Sequence, residues 1–266
     1  MKCFRRLILF LLVAGLLYVA LGWNYDLQTV LYTVESVDIH QPVRIACLTD
    51  LHSCAYGEGQ RELLDAVTAA APDLVMLVGD IYDDVLPPGN TDTTLISLAE
   101  NWPCYYVTGN HDAFDGSTAA AFGITVLDGT YEELTVNGQS IRICGISDPR
   151  THGTAAFSAA LTALNEKNAE QKGFSLLLAH RPAAIGEYLP GGYDLILSGH
   201  AHGGQWRIPG LLNGLLAPDE GLFPQYAGGF YDMADTAFIV SCGLAKESTR
   251  VPRLFNPPEL VLIDVT

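Results

Sequence analysis

The sequence predicts an α/β fold of two packed mixed β-sheets flanked by helices, preceded by one N-terminal transmembrane helix. Three observations carry this. Short Val-, Leu- and Ile-rich runs alternate with helix-patterned segments early, and strand-like runs dominate late. Five short polar motifs each begin where an apolar run ends, as loops at the ends of buried strands do. An uncharged stretch of 19 residues, Leu7 to Tyr25, follows Lys2, Arg5 and Arg6.

That stretch is rich in Leu, Val and Ala. At about 1.5 Å per residue it just crosses a hydrocarbon layer of roughly 30 Å. Trp23 and Tyr25 supply an interfacial aromatic end. The preceding cations place the start in the cytoplasm and the rest of the chain outside, in the cell membrane as a single-pass protein. A cleaved signal peptide is the rival, but Ala20-Leu21-Gly22 is a poor cleavage pattern, so an uncleaved anchor is expected.

Residues 26–42 read as a juxtamembrane strand and linker, and 43–266 as the catalytic domain behind the anchor of residues 1–25. Val43 to Leu48 is the first buried strand. Leu63, Leu64, Val67, Ala70 and Ala71 mark one helical face, which Pro72 ends. Leu74 to Val78 is the next strand, Thr91 to Leu98 a short helix, and Cys104 to Val107 a strand. Asn137-Gly138 between apolar-alternating runs predicts a hairpin over 131–146. Phe157, Ala160, Leu161 and Leu164 recur at helical spacing. Strands follow at 174–178 and 195–197, and after a Gly- and Pro-rich stretch at 237–241 and 260–265.

The motifs at the strand ends are Asp50-Leu51-His52, Gly79-Asp80, Gly109-Asn110-His111-Asp112, Ala179-His180 and Gly199-His200-Ala201-His202. A divalent cation in a hydrolase takes carboxylate and imidazole ligands and keeps a position open for water. Asp50 and His52 are two apart, so both side chains can lean to one side while Leu51 turns into the core. His200 and His202 repeat that spacing. Asp80 has two oxygens and can bridge two ions, and Asn110 offers a neutral carbonyl oxygen.

Five such motifs in this order resemble the calcineurin-like metallophosphoesterases, and among them the membrane-associated bacterial phosphohydrolases with an N-terminal hydrophobic segment. The resemblance runs from about Val43 to the C-terminus. It includes Ser241-Cys242-Gly243-Leu244 and Phe255-Asn256-Pro257-Pro258-Glu259. It implies a four-layer sandwich holding two divalent metal ions, for which Mn, Fe, Zn and Co are all suitable. By the same resemblance one ion takes Asp50, His52, Asp80 and His202, and the other takes Asp80, Asn110, His180 and His200. A hydroxide held between the ions then attacks phosphorus in line, and His111 stabilises charge or protonates the leaving oxygen. Asp83 is expected behind the ligands as a hydrogen-bond partner, Asp112 to orient His111 or its loop, and Arg181 to touch substrate phosphate. Gln205 and Trp206 are expected to wall the pocket, and Leu211 to Tyr231, with Phe223, Tyr226, Phe230 and Tyr231, to form either packing or an apolar rim near the membrane. His40 and His152 belong to no motif and are expected on the surface.

The formal charge is −16, from 14 basic and 30 acidic residues. That field disfavours nucleic acid as a partner, and with it a nuclease. It tolerates a phosphate ester, because bound cations reverse the sign locally. The expected substrates are therefore a phosphorylated small molecule or a lipid-linked compound: a phosphodiester, a phosphomonoester or a lipid-linked pyrophosphate. A non-catalytic metal-binding scaffold is the alternative of a different class, and retention of all seven ligands plus His111 argues against it. None of the six cysteines forms a Cys-x-x-Cys pair. Cys47, Cys104, Cys144 and Cys242 read as buried apolar residues, and Cys54, near the first motif, as the one most open to chemistry.

Overall fold

A computed structural model describes residues 2–113, 115–246 and 251–266. The apolar runs pair into two six-stranded sheets. In chain order the strands begin with β1 (Gln28–Val34), β2 (Val43–Leu48), β3 (Leu74–Val78), β4 (Cys104–Val107) and β5 (Thr125–Val126). Next come β6 (Thr130–Val136), β7 (Gln139–Ile146), β8 (Ser175–Ala179) and β9 (Leu195–Ser198). A small hairpin, β10 (Leu216–Ala217) and β11 (Gly221–Leu222), precedes β12 (Gly229–Asp232), β13 (Ala237–Val240) and β14 (Glu259–Val265). The first sheet runs β1-β14-β2-β3-β4-β5 and the second β12-β13-β9-β8-β7-β6. Both are mixed: β2 to β5 are parallel and β14 is antiparallel to β2, while β7 to β9 are parallel and β6 antiparallel to β7.

Strand periodicity explains the layering. In β2, Ile45 and Cys47 point between the sheets, where they meet Ile143, Leu176, Leu178 and Leu197. Ala46 and Leu48 point outward onto Leu63 and Val67 of α2 (Arg61–Ala70) and Leu95 and Leu98 of α3 (Gly89–Asn101). The outer face of the second sheet is covered by Phe157, Leu161 and Leu164 of a 16-residue helix, Thr154–Ala169. Sheets covered on both faces need apolar residues at consecutive positions, hence the unbroken runs. The predicted hairpin forms, with Asn137 and Gly138 at φ 50° and 82°, as its two-residue turn requires.

Some segments differ from expectation. The stretch expected as a juxtamembrane strand and linker carries β1, which pairs in parallel with the distant β14 and forms an edge of the first sheet. The helix expected at 91–98 extends over Gly89–Asn101. Cys54 is fully buried against the outer face of the first sheet, not open to chemistry, and Cys47, Cys104, Cys144 and Cys242 are buried as expected. The N-terminal helix α1 covers Lys2–Gly22, and its Phe4–Gly22 segment is long and apolar enough to cross a membrane. His40 and His152 are exposed.

Candidate metal centre

Each motif starts where a strand stops, and the backbone turns sharply there. Asp50, His52, Asp80, His200 and His202 hold φ of 50°, 48°, 54°, 64° and 47°. Left-handed backbone at non-glycine residues costs roughly 1–3 kcal/mol each and survives only where the surroundings fix it. Here they do: the amides of Asp50 and His52 donate to the carbonyls of Gly79 and Asp80, both at 3.0 Å. Asp50 accepts from Thr49 Oγ1 at 2.5 Å and from the His200 amide at 3.1 Å on each oxygen, joining a loop of one sheet to a loop of the other. Two glycines permit this closeness. A Cβ at Gly109 would stand 2.2 Å from Asp80 Oδ1, and one at Gly199 2.4 Å from Asp50 Oδ2.

The turns bring the ligand candidates into two adjoining groups. Asp50, His52 and His202 form one, and Asp80, His180 and His200 the other, each with its ligand atoms within 4.8 Å of one another. The His52 and His202 rings stack at 5.3 Å, and those of His180 and His200 lie 5.0 Å apart. Asp80 Oδ2 stands between the groups, 3.1 Å from His180 Nε2 and 3.6 Å from His52 Nε2. Neither contact has hydrogen-bond geometry. His52 Nε2, Asp80 Oδ2, Asn110 Oδ1, His180 Nε2 and His202 Nδ1 are all buried without a partner. Such atoms are costly to bury, and four of the five belong to the two ligand groups, which fits divalent cations. The mixed carboxylate, imidazole and amide donors suit Mn, Fe, Zn or Co.

The remaining nitrogens set the imidazole tautomers. His180 Nδ1 lies 2.9 Å from the Val78 carbonyl, and a proton there leaves Nε2 as the lone pair. His52 Nδ1 lies 3.1 Å from Asp83 Oδ1. Asp83 is itself held by the amides of Val85 and Leu86. Burial, with His180 adding, lowers His200 to about 4. Burial, with the His52 ring adding, holds His202 well below the ordinary imidazole range. Both rings are therefore neutral and ready to bind. Burial opposes charge on His180 as well, but Asp80 beside it raises the imidazole overall.

Around this core, His111 is half-buried and edge-on to His52 at 4.8 Å. Its amide donates to Asp80 Oδ1 at 2.8 Å, and its Nδ1 lies 3.1 Å from Asp84 Oδ1. Asp112 braces loops: it accepts from the amides of Ile81 (2.7 Å) and Gly109 (2.5 Å) and from the Tyr106 hydroxyl. Burial and nearby Asp80 push it up to about 6. Arg181 is engaged by Asp148 and Asp219. Asp219 also stands 3.2 Å from His200 Nε2, so a proton there leaves Nδ1 as that ring's lone pair. Asp219, Asp84 and Arg150, whose Nη1 donates to the Asn110 carbonyl at 2.7 Å, were not anticipated from sequence. Asp219 and Arg150 reach the site through tertiary contact from segments with no local pattern, whereas Asp84 directly follows Asp83. Gln205 is buried beside His202, and Trp206 is partly exposed.

Comparisons with known proteins give the family and the fold. Residues 43–204, more than half of the chain, match the Calcineurin-like phosphoesterase family. The Bacillus subtilis metallophosphoesterase YkuE is 28% identical over 276 residues, covering 94% of this chain and 92% of that protein. The Escherichia coli phosphodiesterase YaeI is 27% identical over 237 residues, covering 84% of this chain and 82% of its own. Among solved structures, TT1561 of Thermus thermophilus superposes with a TM-score of 0.53 at 12% identity, over 77% of this chain and 92% of that one, a likeness of fold. With the family match spanning the strands that carry all five motifs, the chain belongs to the calcineurin-like phosphoesterases and is a metal-dependent hydrolase of ester bonds.

Proposed function

We propose that this hydrolase cleaves phosphodiesters at two divalent ions. One would be held by Asp50, His52, Asp80 and His202, the other by Asp80, Asn110, His180 and His200. The observation that carries this is the set of buried, unpartnered donor atoms converging from two groups, with Asp80 between them. When bound, the ions lower the pKa of a water and neutralise charge on the phosphoryl oxygens. Thr49 and the His200 amide fix the Asp50 carboxylate, and the Val78 carbonyl and Asp83 fix the His180 and His52 rings, so the donors are positioned before any cation arrives. His111 is half-buried beside the two groups, with Asp84 on Nδ1, and can hold a proton for the leaving oxygen at Nε2.

A diester is favoured over a monoester on charge. A monoester carries a second negative charge, and Arg181 is already engaged by two carboxylates in a chain of net charge −16. The relative whose name states phosphodiesterase supports the same choice. The −16 charge argues against a nuclease. We further propose that α1 spans the cell membrane, with residues 43–266, and the edge strand of the 26–42 segment, outside the cytoplasm. The position of Arg5 and Arg6 before the apolar run supports that orientation.

The test is turnover of bis-nitrophenyl phosphate against nitrophenyl phosphate by protein loaded in turn with Mn, Fe, Zn and Co. Faster hydrolysis of the diester is expected. Preference for the monoester would contradict the diester reading, and no turnover of either with any metal would contradict the catalytic one.

A further inference from the structure

Between Trp206 and Phe223 the chain forms a lobe unlike the rest of this acidic protein. Residues 208–218 carry no charge. Leu211, Leu222 and Phe223 are 82%, 65% and 66% exposed, and Trp206, Ile208 and Leu216 are exposed as well. Leu216 and Leu222 are directly paired across β10 and β11, so both side chains occupy one face of that hairpin. The lobe is ordered by its own backbone: Ile208 and Leu212 bridge, and the Phe223 amide donates to the Leu215 carbonyl at 2.8 Å. The lobe's three charged residues have polar partners, Glu220 accepting from the Gln225 amide. Arg207 donates to Asn213 and to the Gly228 carbonyl, and Asp219 meets Arg181 and His200.

Leu254 and Phe255 connect this lobe to the end of α1. The Phe255 amide donates to the Gly22 carbonyl at 2.7 Å, and the rings of Tyr18 and Phe255 are 4.5 Å apart. A Cβ on Gly22 would stand 2.4 Å from the Phe255 ring, so this contact needs a glycine. The adjacent Leu254 bridges Trp206: Leu254 donates to the Gln205 carbonyl and accepts from the Arg207 amide. A groove of about 540 Å³ lies between residues 207–213 and Phe255. Next in sequence, Asn256 donates to the carbonyl of His202 at 2.7 Å. The lobe thus reaches from the helix end to the metal-ligand loop, and Asp219 touches the other ligand group through His200.

We propose that the 206–223 lobe is a membrane-docking surface. It would seat its exposed Leu, Phe and Trp side chains in the interfacial layer of the bilayer that α1 crosses, with the metal centre at the level of the lipid phosphates. Continuity with α1 identifies the occupant. A helix crossing a bilayer and ending at Gly22, with Trp23 exposed beyond it, places residues 254–255 and the lobe bridged to them at that same interface. The apolar side chains exposed there gain by burial in lipid, whereas in water they would stay an exposed apolar surface. The inference rests on the reading of α1 as a membrane span and narrows the substrate class to phosphoesters presented at a bilayer.

The test uses the full chain in vesicles of phosphatidylethanolamine and phosphatidylglycerol with brominated acyl chains. An environment-sensitive dye is attached in separate variants at Leu211→Cys, Phe223→Cys and, as a distant exposed control, Lys172→Cys; dye-treated wild type gives the blank. Dyes at 211 and 223 are expected to lose about half of their emission, since a side chain roughly 5–10 Å into the headgroup–acyl boundary lies near the bromines. The dye at 172 is expected to keep its emission. Equal, low quenching at all three positions overturns the proposal. Alkaline carbonate extraction reads α1 separately. Retention in the membrane without quenching at 211 and 223 leaves the anchor standing and removes the lobe. Quenching in protein that carbonate extracts keeps the lobe and removes the anchor.

Discussion

Replacing Asp80 with alanine is expected to strip the protein of both ions and lower phosphoester turnover by at least ~10³-fold, the equivalent of several kcal/mol of lost charge stabilisation. Asp80 stands between the two ligand groups, with Oδ2 3.1 Å from His180 Nε2 and 3.6 Å from His52 Nε2. Its other oxygen holds the His111 amide, so the substitution also frees the loop carrying Asn110. His52→Ala, by comparison, removes a donor from one group only and is expected to weaken one ion chiefly. Elemental analysis of purified variants reads the difference. Two tightly held ions in the Asp80 variant would show that this carboxylate does not bridge.

His111→Ala separates catalysis from metal retention. The His111 side chain is half-exposed beside the ligands, and its contribution to their order comes through its backbone amide, which alanine preserves. Metal content is expected to stay near wild type while turnover falls about 10²–10⁴-fold, the usual worth of a positioned acid or base. The loss should shrink for nitrophenolate esters, whose leaving group needs little protonation. Loss of an ion from this variant would make His111 a ligand. Unchanged turnover for good and poor leaving groups alike would make it structural.

The candidate loops were legible because their information is local. Each is a polar motif at the end of an apolar run, and the run itself reads as a buried strand. The inter-sheet core follows from the same runs, since Ile45 and Cys47 alternate with Ala46 and Leu48 between two covered faces. What was not legible depends on contacts remote in sequence. β1 belongs to the first sheet only because β14, at the other end of the chain, lies beside it. Asp219 sits in a Gly- and Pro-rich stretch with no periodicity, yet it joins Arg181 to His200. For Arg181 the sequence offered a cation near a ligand, and only tertiary structure shows two carboxylates already on it. Asp112 was expected near His111 or its loop; its oxygens meet loop amides and the Tyr106 hydroxyl, because burial demands a partner for every lone pair it can find.

The central claim is that two ions, held by these seven side chains, make the site active. Metal-free protein titrated with Mn, with bound metal and diester hydrolysis measured together, tests it most directly. Inactive metal-free protein that regains hydrolysis as occupancy approaches two ions per chain is the expected result for a two-metal site. Full hydrolysis without metal, or full recovery with a single ion bound, would contradict it.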